Sequence, residues 1–135
     1  MASGSYNRYK ANLLNGEVDM EADTLKLALL NNSHSFTATD NTWADISSNE
    51  ISGTGYTAGG QALASKAVTQ AATTKFDADD VTWSSATLTA YHAVLYDDSL
   101  ANDDLIFSLD FGGAQAVTAA DFTIVWNASG IITLA

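Results

Sequence analysis

The carboxy-terminal stretch, residues 81–135, contains neither lysine nor arginine and consists mostly of runs that alternate like β-strands. In residues 105–111, large apolar side chains at odd positions alternate with isoleucine, serine and aspartate at even positions. The alternation returns in residues 122–126 after a short polar gap, and this period of two predicts strands with one buried face. Residues 87–96 are apolar or aromatic on both faces, which indicates a central strand covered on both sides. We therefore expect residues 81–135 to form the core of a sheet.

The preceding part of the chain predicts one short helix and additional strands. Ser5 is a suitable N-cap for a helix that ends before Gly16, and residues 1–4 are expected to form a mobile tail. Residues 24–30 predict a strand. Residues 61–71 fit a helix or a strand, and their alternation favours the strand. The sequence leaves open whether residues 43–46 form a helical turn or a structured loop.

The turns of this chain must use a restricted chemistry, because its 135 residues include no proline and no cysteine. Glycine, asparagine, aspartate and serine therefore have to form the turns, and thiol chemistry is excluded. A chain of this length is expected to form one domain that needs no disulfide or metal. Short strands separated by turn signals predict an all-β fold for residues 1–135: a single-domain antiparallel β-sandwich, jelly-roll-like, with a short N-terminal helix.

The net charge of −11 is unevenly distributed. Residues 1–75 hold all five basic residues and seven acidic ones, whereas residues 76–135 hold nine acidic residues and no basic one. Such a surface repels nucleic acid and anionic lipid, and it favours solubility or docking onto a basic protein face. The chain also lacks an apolar run of the ~20 residues that a membrane span needs, and it lacks a signal peptide. We expect neither nucleic acid nor membrane as a partner.

The residues that could support catalysis or metal binding do not match a known motif. His34 falls in a polar loop and His92 in a predicted strand; neither has metal-ligand spacing, and nothing predicts that they meet. A hydrogen-bonded core or interface role is expected for His92. The aspartate clusters at 77–80 and 97–104 could bind calcium but fit exposed turns better, the second one joining two antiparallel strands. We expect no enzymatic activity, no cofactor and no metal site.

Residues 50–60, with the sequence EISGTGYTAGG, carry four of the nine glycines, at positions 53, 55, 59 and 60. Glycines at this density permit positive φ angles and a close approach of the backbone to other groups. The run lacks the GK[ST] ending of a P-loop and the GxGxxG of a dinucleotide fold, which disfavours nucleotide binding. The sequence favours an extended loop that lies along a neighbouring surface.

Several segments, spread over most of the chain, resemble one group of proteins. They are the N-terminal helix ending in Asn15-Gly16, DTLKLALL at 23–30, EISGTGYTAGG at 50–60, FDADDVTW at 76–83, YHAVLYDD at 91–98 and FTIVWNASGIITLA at 122–135. Together they resemble small virion structural proteins of tailed bacteriophages. The most specific parts of the resemblance are the GTGYTAGG loop and the WNASGI segment.

This resemblance implies a head decoration, or cement, protein on the surface of the virion head. Such a protein is a homo-oligomer that binds the major capsid protein across capsomer boundaries, after assembly in the host cytoplasm. The N-terminal segment and the glycine loop carry aromatic side chains on terminal or flexible backbone, so they are the expected contact regions. The predicted contact residues are Tyr6, Tyr9, Lys10, Gly53, Gly55, Tyr56, Gly59 and Gly60.

Two alternative functions stay open at the level of sequence. Small β-proteins also serve in phage tails, so a tube, terminator or fibre-associated component is one alternative. A carbohydrate-binding module that uses exposed tryptophans is the other, with Trp43, Trp83 and Trp126 as candidates. Burial is the better interpretation for Trp126, because it alternates with two apolar residues.

Overall fold

The computed structural model describes residues 3–135, which form eight strands, two short α-helices and one 3₁₀ turn. In chain order the strands are β1 (Gly4–Ser5), β2 (Leu25–Leu30), β3 (Gln61–Ala62), β4 (Ala67–Thr69), β5 (Thr74–Asp77), β6 (Val81–Asp97), β7 (Asp104–Ile124) and β8 (Ile132–Leu134). The helices are α1 (Asn7–Leu14) and α2 (Trp43–Ile46), and the 3₁₀ turn is Ser47–Asn49. The larger sheet has the order β1-β7-β6-β2-β3, and the smaller sheet has the order β4-β5-β8.

These elements confirm the expected all-β class, an antiparallel sandwich with a short N-terminal helix. Both faces of the larger sheet are covered. One face shares an apolar cluster with the smaller sheet, in which Leu27 and Leu95 lie with Phe76. The other face packs against residues from the segment 31–46, and Val94 and Trp43 belong to that second cluster. The predicted strands over 24–30 and 87–96 are confirmed as β2 and as the C-terminal part of β6.

The β6–β7 hairpin is the largest element, and its strands pair from Val81 with Ile124 to Asp97 with Asp104. The prediction of separate strands at 105–111 and 122–126 is wrong, because β7 is continuous to residue 124. Its continuity depends on a wide bulge. Two steps along β6, from His92 to residue 90, correspond to five steps along β7, from residue 110 to residue 115. Gly112 and Gly113 absorb the extra length with φ angles of +78° and +154°.

A second bulge changes which face of β7 each side chain occupies. Tyr96 pairs with Leu105, whereas the adjacent Leu95 pairs with Phe107, so β7 has one extra residue at this point. Leu105 therefore packs in the cluster with Tyr96, and Phe107 packs in the opposite cluster with Leu95. The expectation that both apolar residues share one face is wrong, since a one-residue shift moves a side chain to the other side of the sheet.

The N-terminus also departs from the expected arrangement. Gly4 and Ser5 pair with β7 at Ser108 and Phe107, so the last residue of the predicted mobile tail and the predicted N-cap belong to the sheet. Residues 1 and 2 lie outside the described part of the chain. Helix α1 begins at residue 7, and its N-cap is Tyr6, one position after the predicted Ser5, without a side-chain hydrogen bond. Pairing with the edge of β7 holds Ser5 extended, which delays the helix.

Candidate binding groove

A groove of about 940 Å³ lies along β7. One wall consists of β1 and β7, and the other consists of residues 125–127 and 130–133, which include part of β8. Within residues 3–135, β7 pairs with β6, with β1 at Phe107 and Ser108, and with Thr42 through an isolated bridge at Asp104. In the same part of the chain β8 pairs only with β5. The groove therefore lies between two strands that each have one unpaired edge.

The unpaired outer edge of β7 begins just beyond its short contact with the N-terminus. The backbone N–H of Asp110 donates to Ser3 Oγ at 2.8 Å, and no described strand pairs with this edge from there to Ile124. Natural sheet edges are usually blunted with lysine, proline or inward-pointing charge. Residues 112–120 contain only glycine, alanine, glutamine, valine and threonine. Apart from Asp121, bulges protect this edge, and they leave two short stretches in regular pairing with β6, 115–117 and 122–124.

The electrostatics of the groove are negative. Asp110 and Asp121 lie among its lining residues, whereas no lysine or arginine of residues 3–135 lines it. Backbone donors fix both carboxylates: Asp110 accepts from Gly112 N–H at 2.9 Å, and Asp121 accepts from Ser85 N–H at 3.1 Å. These hydrogen bonds fix the orientation of both carboxylates, and that of Asp110 also lies 3.9 Å from the Nδ1 atom of the buried His92.

The floor of the groove is aromatic and pre-formed. Phe111 contacts Phe122 with ring centroids 6.3 Å apart, and Trp126 meets Phe107 edge to face at the same distance. The Trp126 indole N–H also donates to the carbonyl oxygen of Asp79 at 3.0 Å, which fixes the ring. An apolar floor with a few fixed polar groups is the usual composition of a binding cleft.

A cluster of polar side chains lies on the sheet face that the segment 31–46 covers. His34 Nε2 is 3.0 Å from Ser108 Oγ, and its ring meets the His92 ring edge to face at 4.9 Å. His92 Nδ1 is 3.9 Å from the Asp110 carboxylate, and the hydroxyl of Tyr6 faces Ser108. The structure thus brings together two histidines whose meeting the sequence did not predict. His92 has the expected core position, but neither ring nitrogen has a hydrogen-bond partner within residues 3–135.

The two histidines, Tyr6 and Ser108 of this polar cluster are closed to solvent. Burial, followed by the nearby His92, lowers the pKa of His34 to about 4, and burial also lowers the pKa of His92. Burial raises the pKa of Tyr6 to about 12. The two imidazoles are therefore uncharged at neutral pH. Since His34 and His92 are 1 % and 0 % exposed, we assign them to the packing of the covering segment on the sheet.

The predicted contact residues of the N-terminal segment have different positions. Tyr6 is fully buried in the cluster on one face of the larger sheet, and Tyr9 is buried in the cluster on the other face. Both rings anchor the N-terminal segment to its own sheet, so neither is free to contact a partner in this fold. Lys10 is exposed on α1, and its contact with a partner stays a prediction.

The glycine loop packs onto its own sheet, which is the neighbouring surface that it lies along. A side chain at Gly53 or Gly60 would collide with backbone atoms of Thr87 or Leu27, respectively. Gly55 has Ala86 within 3.1 Å of the position of a Cβ atom. The Gly59 N–H and carbonyl groups bond to the side chains of Glu50 and Tyr96. The close backbone approach predicted from the glycines is confirmed, and the glycines allow the loop to pack against the sheet.

Tyr56 holds this loop to β2. Its hydroxyl donates to the Glu50 carboxylate at 2.6 Å and accepts from the Leu29 N–H at 3.0 Å. Burial, followed by the hydrogen bond to Glu50, raises the pKa of Tyr56, so the phenol stays protonated and able to donate. These contacts give Tyr56 a structural role.

Replacing Tyr56 with phenylalanine removes both bonds and leaves a partly buried carboxylate short of a donor. We expect the free energy of unfolding, measured by urea denaturation, to fall by about 2–3 kcal/mol. Tyr91→Phe is the matched control, because Tyr91 on β6 makes no side-chain hydrogen bond within residues 3–135. Equal losses in the two variants would contradict the role assigned to the Tyr56 hydroxyl.

The three tryptophans and the second aspartate cluster, which the sequence offered as candidates, occupy different environments in the structure. Trp83 is buried, and Trp43 stacks on Tyr96 with centroids 4.8 Å apart, whereas the partly exposed Trp126 lines the groove. The turn after β6 joins two antiparallel strands as predicted, but Asp97, at its start, is fully buried.

No three imidazole or carboxylate groups in residues 3–135 are placed to hold a metal ion. Neither described helix is long and apolar enough to cross a membrane.

Comparison with protein-family models, curated proteins and solved structures finds no match for this chain. Sequence reasoning did not predict the groove, because its walls come from segments whose relative placement has no local signal. One feature in the sequence could have indicated it: residues 112–120 carry no charge, although they lie in the most acidic part of the chain. A strand edge without charge differs from the usual protected edge.

Proposed function

We propose that this chain is a structural protein of a tailed-phage virion, which decorates the capsid by binding a neighbouring protein along the outer edge of β7. The observation that carries the proposal is this unpaired, nearly uncharged edge beside a groove with an aromatic floor. The resemblance of the segments quoted above to small virion proteins supplies the setting. The major capsid protein is the proposed partner, and Lys10 on α1 is a second proposed contact.

Strand addition suits the geometry of the groove. An extended segment paired with residues 115–124 would satisfy open N–H and C=O groups of β7 and cover Phe111 and Phe122. Each such hydrogen bond contributes about 0.5–1.5 kcal/mol net, so one contact of this kind is modest. A decoration protein repeats its contact many times over the capsid and, as a homo-oligomer, gains further from multivalency. A modest contact is therefore sufficient for the proposed role.

A charge introduced on the edge tests this proposal. We expect Ala116→Lys to lower the binding of the protein to undecorated phage heads at least about tenfold, because lysine on an open edge opposes strand addition. Binding is measured by co-sedimentation with heads of the phage that encodes the chain. Ala72→Lys is the matched control, since Ala72 is equally exposed but lies in the turn between β4 and β5.

Three outcomes bear on the proposal in different ways. Equal binding of Ala116→Lys and Ala72→Lys to heads would remove the edge of β7 from the contact. Binding of the unmodified protein to tails and not to heads would replace the decoration role with a tail role. Both lysine variants must keep the unfolding free energy of the unmodified protein for the binding comparison to be valid. We expect that they do, because residues 72 and 116 are both exposed.

A further inference from the structure

We infer that the groove accepts an extended segment of a different protein, whose alternate side chains are apolar and cover the groove floor while its backbone adds to β7. This inference rests on the proposed interaction role of the β7 edge, and it adds the chemistry of the occupant. It does not depend on the virion setting.

The groove is the place where the main apolar core reaches the surface. Within residues 3–135 this core has eleven partly buried apolar neighbours, and six of them line the groove. These six are Leu109, Phe111, Val117, Trp126, Ile131 and Ile132. Val125 also lines the groove and is 72 % exposed. Apolar surface concentrated in this way marks an interaction site, so the occupant has to supply apolar side chains.

The walls of the groove indicate that the occupant is a polypeptide. Within residues 3–135 no strand pairs with the outer edge of β7 over residues 112–124, or with the second edge of β8. Both walls therefore present backbone N–H and C=O groups. An extended chain bonds to such groups and, because its side chains alternate, turns every second one toward the floor. A lipid would cover the floor but would leave the backbone groups of the walls unused.

Packing and charge favour a different protein over a second copy of this chain. In β7, Phe122 and Ile124 are buried in the chain's own core, so edge-to-edge pairing of two copies cannot turn these side chains into a neighbouring groove. The other apolar strands, β2 and β6, are paired on both sides. Residues 76–135 carry nine acidic and no basic side chains, so two copies that meet at this edge also repel each other.

Peptide binding to the intact chain, followed by ¹⁵N NMR, tests this inference with two peptides of the same composition and charge. In KTITVTITK the apolar residues alternate with threonine, whereas in KTIIVTTTK they are adjacent. We expect KTITVTITK to shift the amide signals of residues 115–124 and the indole signal of Trp126. Its Kd should be at least about tenfold lower than that of KTIIVTTTK, because only the alternating peptide turns all its apolar side chains to one face.

A methylated peptide tests the recognition of the backbone separately. Methylation of the internal backbone nitrogens of KTITVTITK keeps every side chain and removes the N–H donors that strand addition uses. We expect this peptide to cause no shifts at residues 115–124 under the same conditions.

A variant of the groove floor tests the apolar contact from the side of the protein. Val117 packs against the core, lines the groove and lies in the regular stretch 115–117. We expect Val117→Gln to weaken KTITVTITK binding about three- to fivefold, because it replaces apolar surface beneath the bound strand with an amide. Val68→Gln is the matched control, since Val68 is an exposed valine of β4 outside the groove lining, and we expect no change in its affinity. The ¹⁵N spectrum of each free variant shows that it keeps the fold.

Several results would overturn the inference. These are equal affinity for the two peptides, undiminished binding of the methylated peptide, and no binding of KTITVTITK at about 2 mM, where a Kd near 1 mM would be detected. Dimerisation through residues 115–124 would show a second copy as the occupant, and shifts of the same residues by dodecanoate or maltohexaose would show a lipid or carbohydrate site.

The same measurements separate this inference from the proposed function. If KTITVTITK fails to bind but Ala116→Lys still lowers binding to phage heads, the inference fails and the proposed function stands. If KTITVTITK binds but the protein is missing from phage particles, the virion proposal fails and the inference stands.

Discussion

Replacing Gly60 with alanine is expected to lower the free energy of unfolding by at least about 4 kcal/mol, a large part of the stability of a domain of this size. A Cβ atom at Gly60 would overlap the carbonyl oxygen of Leu27 and lie 2.8 Å from Ala28 Cα. These atoms are backbone of β2, which is fixed between two neighbouring strands, so they cannot rotate away. The φ angle of +85° adds strain for any residue with a side chain.

Gly16→Ala separates the two causes of this loss. Gly16 also has a positive φ, +69°, but a Cβ atom there would have nothing within 4 Å. Its substitution should therefore cost only the backbone strain, about 1 kcal/mol. Urea denaturation of both variants gives the comparison. A loss for Gly60→Ala no greater than that for Gly16→Ala would contradict the close packing of the glycine loop on β2.

Replacing Asp97 with asparagine is expected to stabilise the protein by about 2–4 kcal/mol at pH 8. Asp97 is fully buried, and its Oδ2 atom has no hydrogen-bond partner within residues 3–135. Burial, followed by the interaction with Asp23, raises its pKa from 3.8 to about 7. At pH 8 the folded state therefore holds a buried carboxylate beside another acid. The asparagine removes this charge, and its oxygen still accepts from Ser99 N–H as Asp97 does, at 2.9 Å.

The sign of the pH dependence follows from the direction of the pKa shift. A carboxyl whose pKa is raised in the folded state contributes stability below its unfolded pKa, and this contribution is lost as pH rises toward 7. The advantage of Asp97→Asn should therefore shrink by about 2–3 kcal/mol between pH 8 and pH 5. Chemical denaturation of variant and unmodified protein at both values measures it. An advantage that does not change with pH would contradict the burial of an ionisable Asp97.

His34→Gln provides a comparison of opposite sign. The folded pKa of His34 is lowered, to about 4, so its contribution to stability is complete above pH 6.5 and is lost as pH falls toward 4. The deficit of His34→Gln relative to the unmodified protein should therefore be smaller at pH 5 than at pH 8. In the unmodified protein His34 and Asp97 change the free energy of unfolding in opposite directions as pH falls. Only the variants therefore show the contribution of each residue.

The regular part of the fold was predictable because it has local signals. The alternation of apolar residues predicted β2, and the apolar character of both faces predicted the C-terminal part of β6. The aspartate cluster at 97–104 predicted the antiparallel connection of β6 to β7. The density of glycines in residues 50–60 predicted a close approach of backbone, which the contacts of Gly60 show. Each of these features depends on residues that are near one another in sequence.

The rest depends on contacts between distant segments. A bulge places Leu105 on the opposite face from Phe107, although simple alternation assigns them to one face, and a bulge is set by pairing with the partner strand. The meeting of His34 with His92 requires the segment 31–46 to fold over the sheet. The groove requires β8 to lie opposite β7. The sequence predicted Tyr6 and Tyr9 as contacts with a partner, because no local signal shows that the preceding residues pair with β7 and that both rings are buried.

The central proposal is that a partner strand adds to the outer edge of β7 when this protein decorates a phage head. Electron cryomicroscopy of the intact particle, at a resolution that shows side chains, tests it most directly. We expect density for this chain on the head surface and an extended segment of a neighbouring protein hydrogen-bonded to residues 115–124. An empty groove on a bound protein, or the absence of this chain from the head, would contradict the account.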